Sequence, residues 1–148
     1  IDANGRRMEA FLTDGLRSLT NLSATAMGEY TVRWPGHIQR YQSTTLEPEE
    51  LVEAWAFDEN RPEFTWLEVK IESGNKTKIW TVEDRGRDGD SSMARTTGLV
   101  TYACVMAWTK QELFQDGVHP PEALPASVIH DVIATLREEG VLIDETIV

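Results

Sequence analysis

FTWLEVKIESGNKTKIWTVED, residues Phe64 to Asp84, decides the fold of this chain. Gly74-Asn75 suits a two-residue hairpin loop with glycine at its first central position, where φ is positive. Pairing outward from that loop sets Ile71 opposite Lys78, Val69 opposite Trp80 and Leu67 opposite Val82. Those residues share one face, and Glu68, Lys70 and Glu72 share the other. A strand slipped by one residue would exchange the faces, so the pattern predicts one register with one face buried and one wet.

Other elements follow outward from the hairpin. Upstream, Glu47 to Phe57 opens with Pro48 and two acids and places Leu51, Val52 and Trp55 on one side, a helix pattern. Before it, Glu29 to Trp34 alternates as a strand, Pro35-Gly36 turns the chain, and His37 to Ser43 reads as a helix. Arg7 to Asp14 alternates through Met8, Ala10 and Leu12 and closes at Asp14-Gly15, with a short helix beginning near Leu16. Downstream of a polar loop, Ser92 to about Gln115 is helical, and its apolar run Leu99 to Trp108 predicts the main core helix. Ala126 to Glu139 carries the stripe Val128, Ile129, Val132, Ile133 and Leu136, with Gly140 as its stop. Val141 to Val148 reads as a terminal strand. The fold class expected is α+β: a mixed, largely antiparallel sheet with helices packed mainly on one face, residues 1–148 forming one domain.

Composition bounds the function. The chain has 148 residues, a formal charge of −11, 41% hydrophobic and 26% charged residues. An acidic chain lacks the cationic footprint that binds nucleic acid or an anionic membrane surface, so neither partner is expected. No apolar run reaches the length of a membrane span. Cys104, the single cysteine, excludes an internal disulfide framework and a thiolate zinc cage, and its apolar helix reads as inert packing. A reducing, cytoplasmic setting is expected. His37, His119 and His130 have no metal-ligand spacing, and Asp84, Asp88 and Asp90 do not match an EF-hand, so no metal is expected. Glycine fingerprints for nucleotides and the G-x-S-x-G elbow are both missing.

Two segments carry candidate chemistry. In Thr31-Val32-Arg33-Trp34-Pro35-Gly36-His37, Arg33 ends a strand on the face opposite Tyr30, Val32 and Trp34. The Pro-Gly turn then brings a helix N-terminus, with open N–H groups, near the guanidinium, a recipe for a carboxylate or phosphate site. The competing reading is a surface arginine paired with Glu29 or another acid. In Ser91 to Gly98, hydroxyls and Arg95 gather in the first turns of the apolar helix, where they face either a ligand or, as cap and ion pair, the acidic loop before them. Asp14-Gly15 is a weaker, turn-like candidate.

Together the segments EAFLTDGLR (Glu9–Arg17), TVRWPGH (Thr31–His37), SMARTTG (Ser92–Gly98) and Pro120-Pro121-Glu122 resemble the C-terminal part of saccharopine dehydrogenase and lysine 6-dehydrogenase enzymes, in the family's order. Trp34 departs from the family's more frequent Tyr but keeps an aromatic ring. The resemblance implies a substrate-binding and dimerising domain of an NAD(P)-dependent oxidoreductase acting on the amine or imine carbon of a lysine-derived amino acid or carboxylated polyamine. It implies that NAD or NADP is bound by an N-terminal dinucleotide domain that this chain, starting without Met, lacks. By chemical type and position, Arg33 is expected to clamp the substrate carboxylate, Asp14 to hold a cationic nitrogen, and His37 to move a proton. Arg95, Thr97, Gly15 and Gly36 complete the substrate-binding set. A reading from another class is a non-catalytic ligand-binding or protein-interaction module that keeps the fold. Trp66, which falls off the Leu67-Val69-Ile71 face, together with Trp55 and Phe57, predicts a homodimer through sheet or hairpin contacts.

Overall fold

The computed structural model describes residues 1–58, 60–110 and 117–148. It is α+β, in two compact units, Ile1–Phe57 and Asp58–Val148. In the first, β1 (Asp2–Ala3) pairs with β2 (Arg6–Arg7), and β3 (Glu9–Thr13) with β4 (Glu29–Arg33). The β3–β4 register sets Glu9 opposite Arg33, Leu12 opposite Tyr30 and Thr13 opposite Glu29. Gly36, at φ +87°, turns β4 into α1 (His37–Ser43), and α2 (Pro48–Ala54) follows. Glu47 and Glu50 close a reciprocal capping box at the start of α2, each side chain accepting from the other's backbone N–H. The helix expected near Leu16 is a single 3-10 turn, Arg17–Asn21.

The second unit is built on the hairpin. β5 (Phe64–Ser73) and β6 (Lys76–Arg85) pair in the register expected, with Ile71 opposite Lys78, Val69 opposite Trp80 and Leu67 opposite Val82. Gly74 sits at φ +60° in the turn. Next come α3 (Ser92–Thr109), α4 (Ala126–Glu138) and β7 (Leu142–Ile147), which returns to lie antiparallel along β6. Gly140 at φ +83° ends the α4 region as its sequence position predicts. Every strand pairing among the described residues is antiparallel, and the strands divide among three separate sheets.

Two expectations about burial need correction. Leu67, Val69 and Ile71 are 52%, 43% and 53% exposed, so the apolar face of the hairpin is open along much of its length. The reason is where helix meets sheet: α3 touches the hairpin at its base, through Ser92 on Thr65 and Arg95 on Asp84, far from the turn. Nor is α3 buried all round. Ser92, Ala103 and Ala107 form the buried stripe, while Tyr102, Val105 and Trp108 are exposed. Small side chains on that stripe let α3 lie closely along α4, whose Val128 and Leu136 are buried. The expected continuation of this helix to Gln115 falls outside the described residues.

The same substitution should act with opposite signs at two glycines. Gly74→Ala forces a side chain into positive φ and should cost about 1–2 kcal/mol. Gly98→Ala, inside α3 with open space around its Cβ, should stabilise by about 0.5–1 kcal/mol. Urea denaturation of both variants checks the pair.

Candidate functional site

The segment Thr31–His37 folds as a strand end, a turn and a helix start. Its helix N-terminus is not open. Glu9, on the strand opposite, accepts from the Gly36 amide through Oε2 (3.0 Å) and from the Ile38 amide through Oε1 (2.7 Å). The Ile38 amide above all, then those of Gly36 and His37, holds the Glu9 carboxyl below the usual carboxylate range. This corrects the expectation of free N–H groups beside Arg33: the chain's own carboxylate fills that position.

The other acid of this strand pair, Glu29, stands four residues before Arg33 at the far end of β4 and is committed as well. Glu29 Oε2 accepts from the Thr13 hydroxyl and from the Gly15 amide (3.1 Å), and Thr13 Oγ1 lies 3.2 Å from Thr31 Oγ1. A Cβ on Gly15 would come within 2.8 Å of the Glu29 carboxyl, so glycine is needed there for that carboxylate to approach. Arg33 therefore projects at the exposed end of β4 with Nη1 donating to the Val32 carbonyl (2.8 Å) and, among the described residues, no carboxylate within ion-pair distance. The paired-with-Glu29 reading of Arg33 is not the arrangement found. Asp14 is exposed in the turn after β3. His37, half-buried at the first position of α1, packs its ring on Trp55 at a centroid distance of 4.9 Å, and Tyr41 lies 6.2 Å from the same indole.

Arg95 and Thr97 belong to the other unit. Arg95 is held by Asp84 through two hydrogen bonds, Nε to Oδ2 and Nη2 to Oδ1, both 2.9 Å, and Nη2 also donates to the Glu139 carbonyl (3.0 Å). Its side chain is 11% exposed and that of Asp84 only 2%. Those hydrogen bonds to Asp84 raise the guanidinium's pKa still further above its ordinary value. Arg87 also donates to the Glu139 carbonyl (2.8 Å). For Arg95, the ion-pair reading is thus the arrangement seen, and its fork is filled by the protein. Thr97 is exposed on α3, its carbonyl accepting from the Thr101 hydroxyl. Ser92, fully buried, donates its amide to Glu63 Oε1 (2.7 Å) and shares its hydroxyl with Glu63 Oε2 (2.6 Å) and Thr65 (2.8 Å). Ser91, not Ser92, caps α3, accepting from the Ala94 amide.

Glu9, Glu63 and Trp55 shape these places without having been assigned to them from the sequence, and Glu29, expected to pair with Arg33, serves Thr13 and Gly15 instead. Among the described residues no three His, Cys, Asp or Glu side chains gather as a metal site, and no helix is long and apolar enough to cross a membrane. Comparison of the chain with family models, curated proteins and solved structures finds no match.

Two outcomes follow from these carboxylates. Glu9 has a lowered folded pKa, so its stabilisation is present above its unfolded value and is lost as pH falls through the folded one. Glu9→Gln should be less stable than the parent at neutral pH, and the gap should narrow as pH falls below the usual carboxylate range, read by urea denaturation across an acid pH series. Arg95→Met leaves Asp84 buried without its cation and should cost about 3 kcal/mol in the same assay.

Proposed function

We propose that this chain is the substrate-binding and oligomerisation domain of an NAD(P)-dependent oxidoreductase acting on the amine or imine carbon of a lysine-derived amino acid or carboxylated polyamine, in the cytoplasm. The observation that carries the reading is the state of Arg33: an exposed guanidinium, in a chain of net charge −11, whose facing acid Glu9 is spent on the turn into α1. A cation with no carboxylate partner among the described residues is set up to take a carboxylate from outside, through two parallel N–H···O bonds. Resemblance of the TVRWPGH, EAFLTDGLR and SMARTTG segments to saccharopine dehydrogenase-like enzymes supplies the chemical class.

In this reading Arg33 fixes the substrate carboxylate. His37, just past the turn at the same end of the β3–β4 pair, takes or gives a proton at the substrate nitrogen, whereas Asp14, past the opposite end beside Thr13 and Glu29, is not brought to them and leaves the set. Gly15 and Gly36 contribute by what their backbones permit: Gly15 lets Glu29 approach, and Gly36 makes the turn that sets His37. Arg95 already serves Asp84, and neither it nor Thr97 belongs to this unit, so both leave the substrate set. When bound, the nicotinamide supplies hydride transfer. In this reading the dinucleotide is held by another domain, as the resemblance implies.

The test is kinetic, in the enzyme that carries this domain. Losing a charge-assisted bidentate pair costs about 2–4 kcal/mol, so Arg33→Met should lower kcat/KM by roughly 30- to 1,000-fold. Its melting temperature should stay near that of the parent. Arg40→Met, in α1, should be near neutral for activity. Equal effects of the two substitutions, or unfolding by Arg33→Met, would contradict the reading.

A further inference from the structure

We propose that two copies of this chain pair antiparallel through β5, about a two-fold axis at Val69, joining two three-stranded sheets into one of six strands. The proposal specifies the oligomerisation part of the reading above. It needs none of the catalytic part.

β5 is an outer strand, in the order β5-β6-β7. On the far side of β6, Thr77 exchanges two hydrogen bonds with Val148, N–H to carbonyl at 2.9 Å and carbonyl to N–H at 2.8 Å. In an antiparallel sheet backbone groups alternate in direction along a strand, so Lys78, Trp80 and Val82 aim theirs at β5. Their partners there, Ile71, Val69 and Leu67, are tied inward. Trp66, Glu68, Lys70 and Glu72 therefore turn their N–H and C=O groups outward, along an edge ten residues long.

A two-fold axis at Val69 matches this edge to itself. Glu68 meets Lys70 of the second copy, Lys70 meets Glu68, and Trp66 meets Glu72. Each of these pairs joins an outward residue to an outward residue, so the ladder closes with hydrogen bonds in phase. Each lysine faces a glutamate. On the other face Val69 meets Val69 as a non-hydrogen-bonded pair, where side chains come closest, and Leu67 meets Ile71. Those three are the apolar residues left open on the hairpin.

Other registers do worse. An axis at Lys70 or Glu68 sets like charge on like. An axis at Ile71 keeps the charge match but pairs only Val69 to Ser73, half the strand. In one copy Lys70 is bound to Glu72 two residues on, at 2.6 Å, and its pKa is raised by that hydrogen bond, with Glu68 adding to it. Edge lysines commonly block pairing. Here the Glu-Lys-Glu alternation turns the same device into a code that a second copy satisfies.

Sedimentation and light scattering of the chain test the proposal. The parent should be a dimer, and Glu68→Lys or Lys70→Glu should each weaken it by at least about tenfold. Mixing the two variants should restore association as a heterodimer, because one edge then carries only bases at these two positions and the other only acids. In a Cys104→Ser background, Val69→Cys should form a disulfide-linked dimer on mild oxidation, and Ser73→Cys should not. A monomer at every concentration up to about 100 μM would overturn the proposal. So would a dimer indifferent to both charge reversals, which would place the interface on another surface such as α3. These readouts follow mass alone, so they stand apart from any failure of Arg33 in catalysis.

Discussion

Asp84 and Arg95 meet by two hydrogen bonds of 2.9 Å, and three elements depend on that contact. Asp84 lies near the end of β6, Arg95 in the first turn of α3, and the guanidinium reaches on to the carbonyl of Glu139, just past α4. A carboxylate as enclosed as Asp84 would be untenable without a cation, and a cation so placed needs all its donors aimed. Ser92 and Glu63 fasten the same corner: Glu63 takes the Ser92 amide and hydroxyl and the Gly86 amide, fixing how the chain enters α3. Helix and sheet are thus joined by polar contacts at the hairpin's base. The apolar side chains farther up β5 and around α3 are left outside that joint.

The smaller unit follows the same rule with a different result. Glu9 is consumed by the backbone amides that begin α1, and Glu29 by Thr13 and Gly15. Both carboxylates fix turns, at either end of the β3–β4 pair. Arg33, opposite Glu9 in the register, is left among the described residues with a carbonyl of its own strand. In one unit the acids and the arginine neutralise each other; in the other, turn geometry separates them. That contrast makes Arg33 and Arg95, similar as sequence candidates, different as chemical groups.

The hairpin was legible because its turn and its alternation point to one register, which is a local property of twenty-odd residues. The span of α1 was legible from Pro35-Gly36 for a similar reason. Glu9 was not. It lies 27 residues from Gly36 along the chain, and only the β3–β4 pairing brings it to the turn. Its one sequence signal is an acid at the start of a strand whose partner ends in a Pro-Gly turn. Pairing of Arg95 with an acid just before its helix was readable as an alternative, since the two are 11 residues apart. The apolar run Leu99–Trp108 misled because hydrophobicity reports the capacity for burial without naming the surface that provides it. His37 on Trp55 joins two helices whose separate patterns carry no sign of the contact.

The central claim is that Arg33, and not Arg95, is the guanidinium available to a carboxylate ligand. Side-chain NMR of the two Nε–H groups during titration with lysine-like amino acids bearing one or two carboxylates reads that claim directly. The account predicts a saturable shift at Arg33 Nε, stronger for the dicarboxylate, with Arg95 Nε unmoved on Asp84. A shift at Arg95 without one at Arg33 would contradict it.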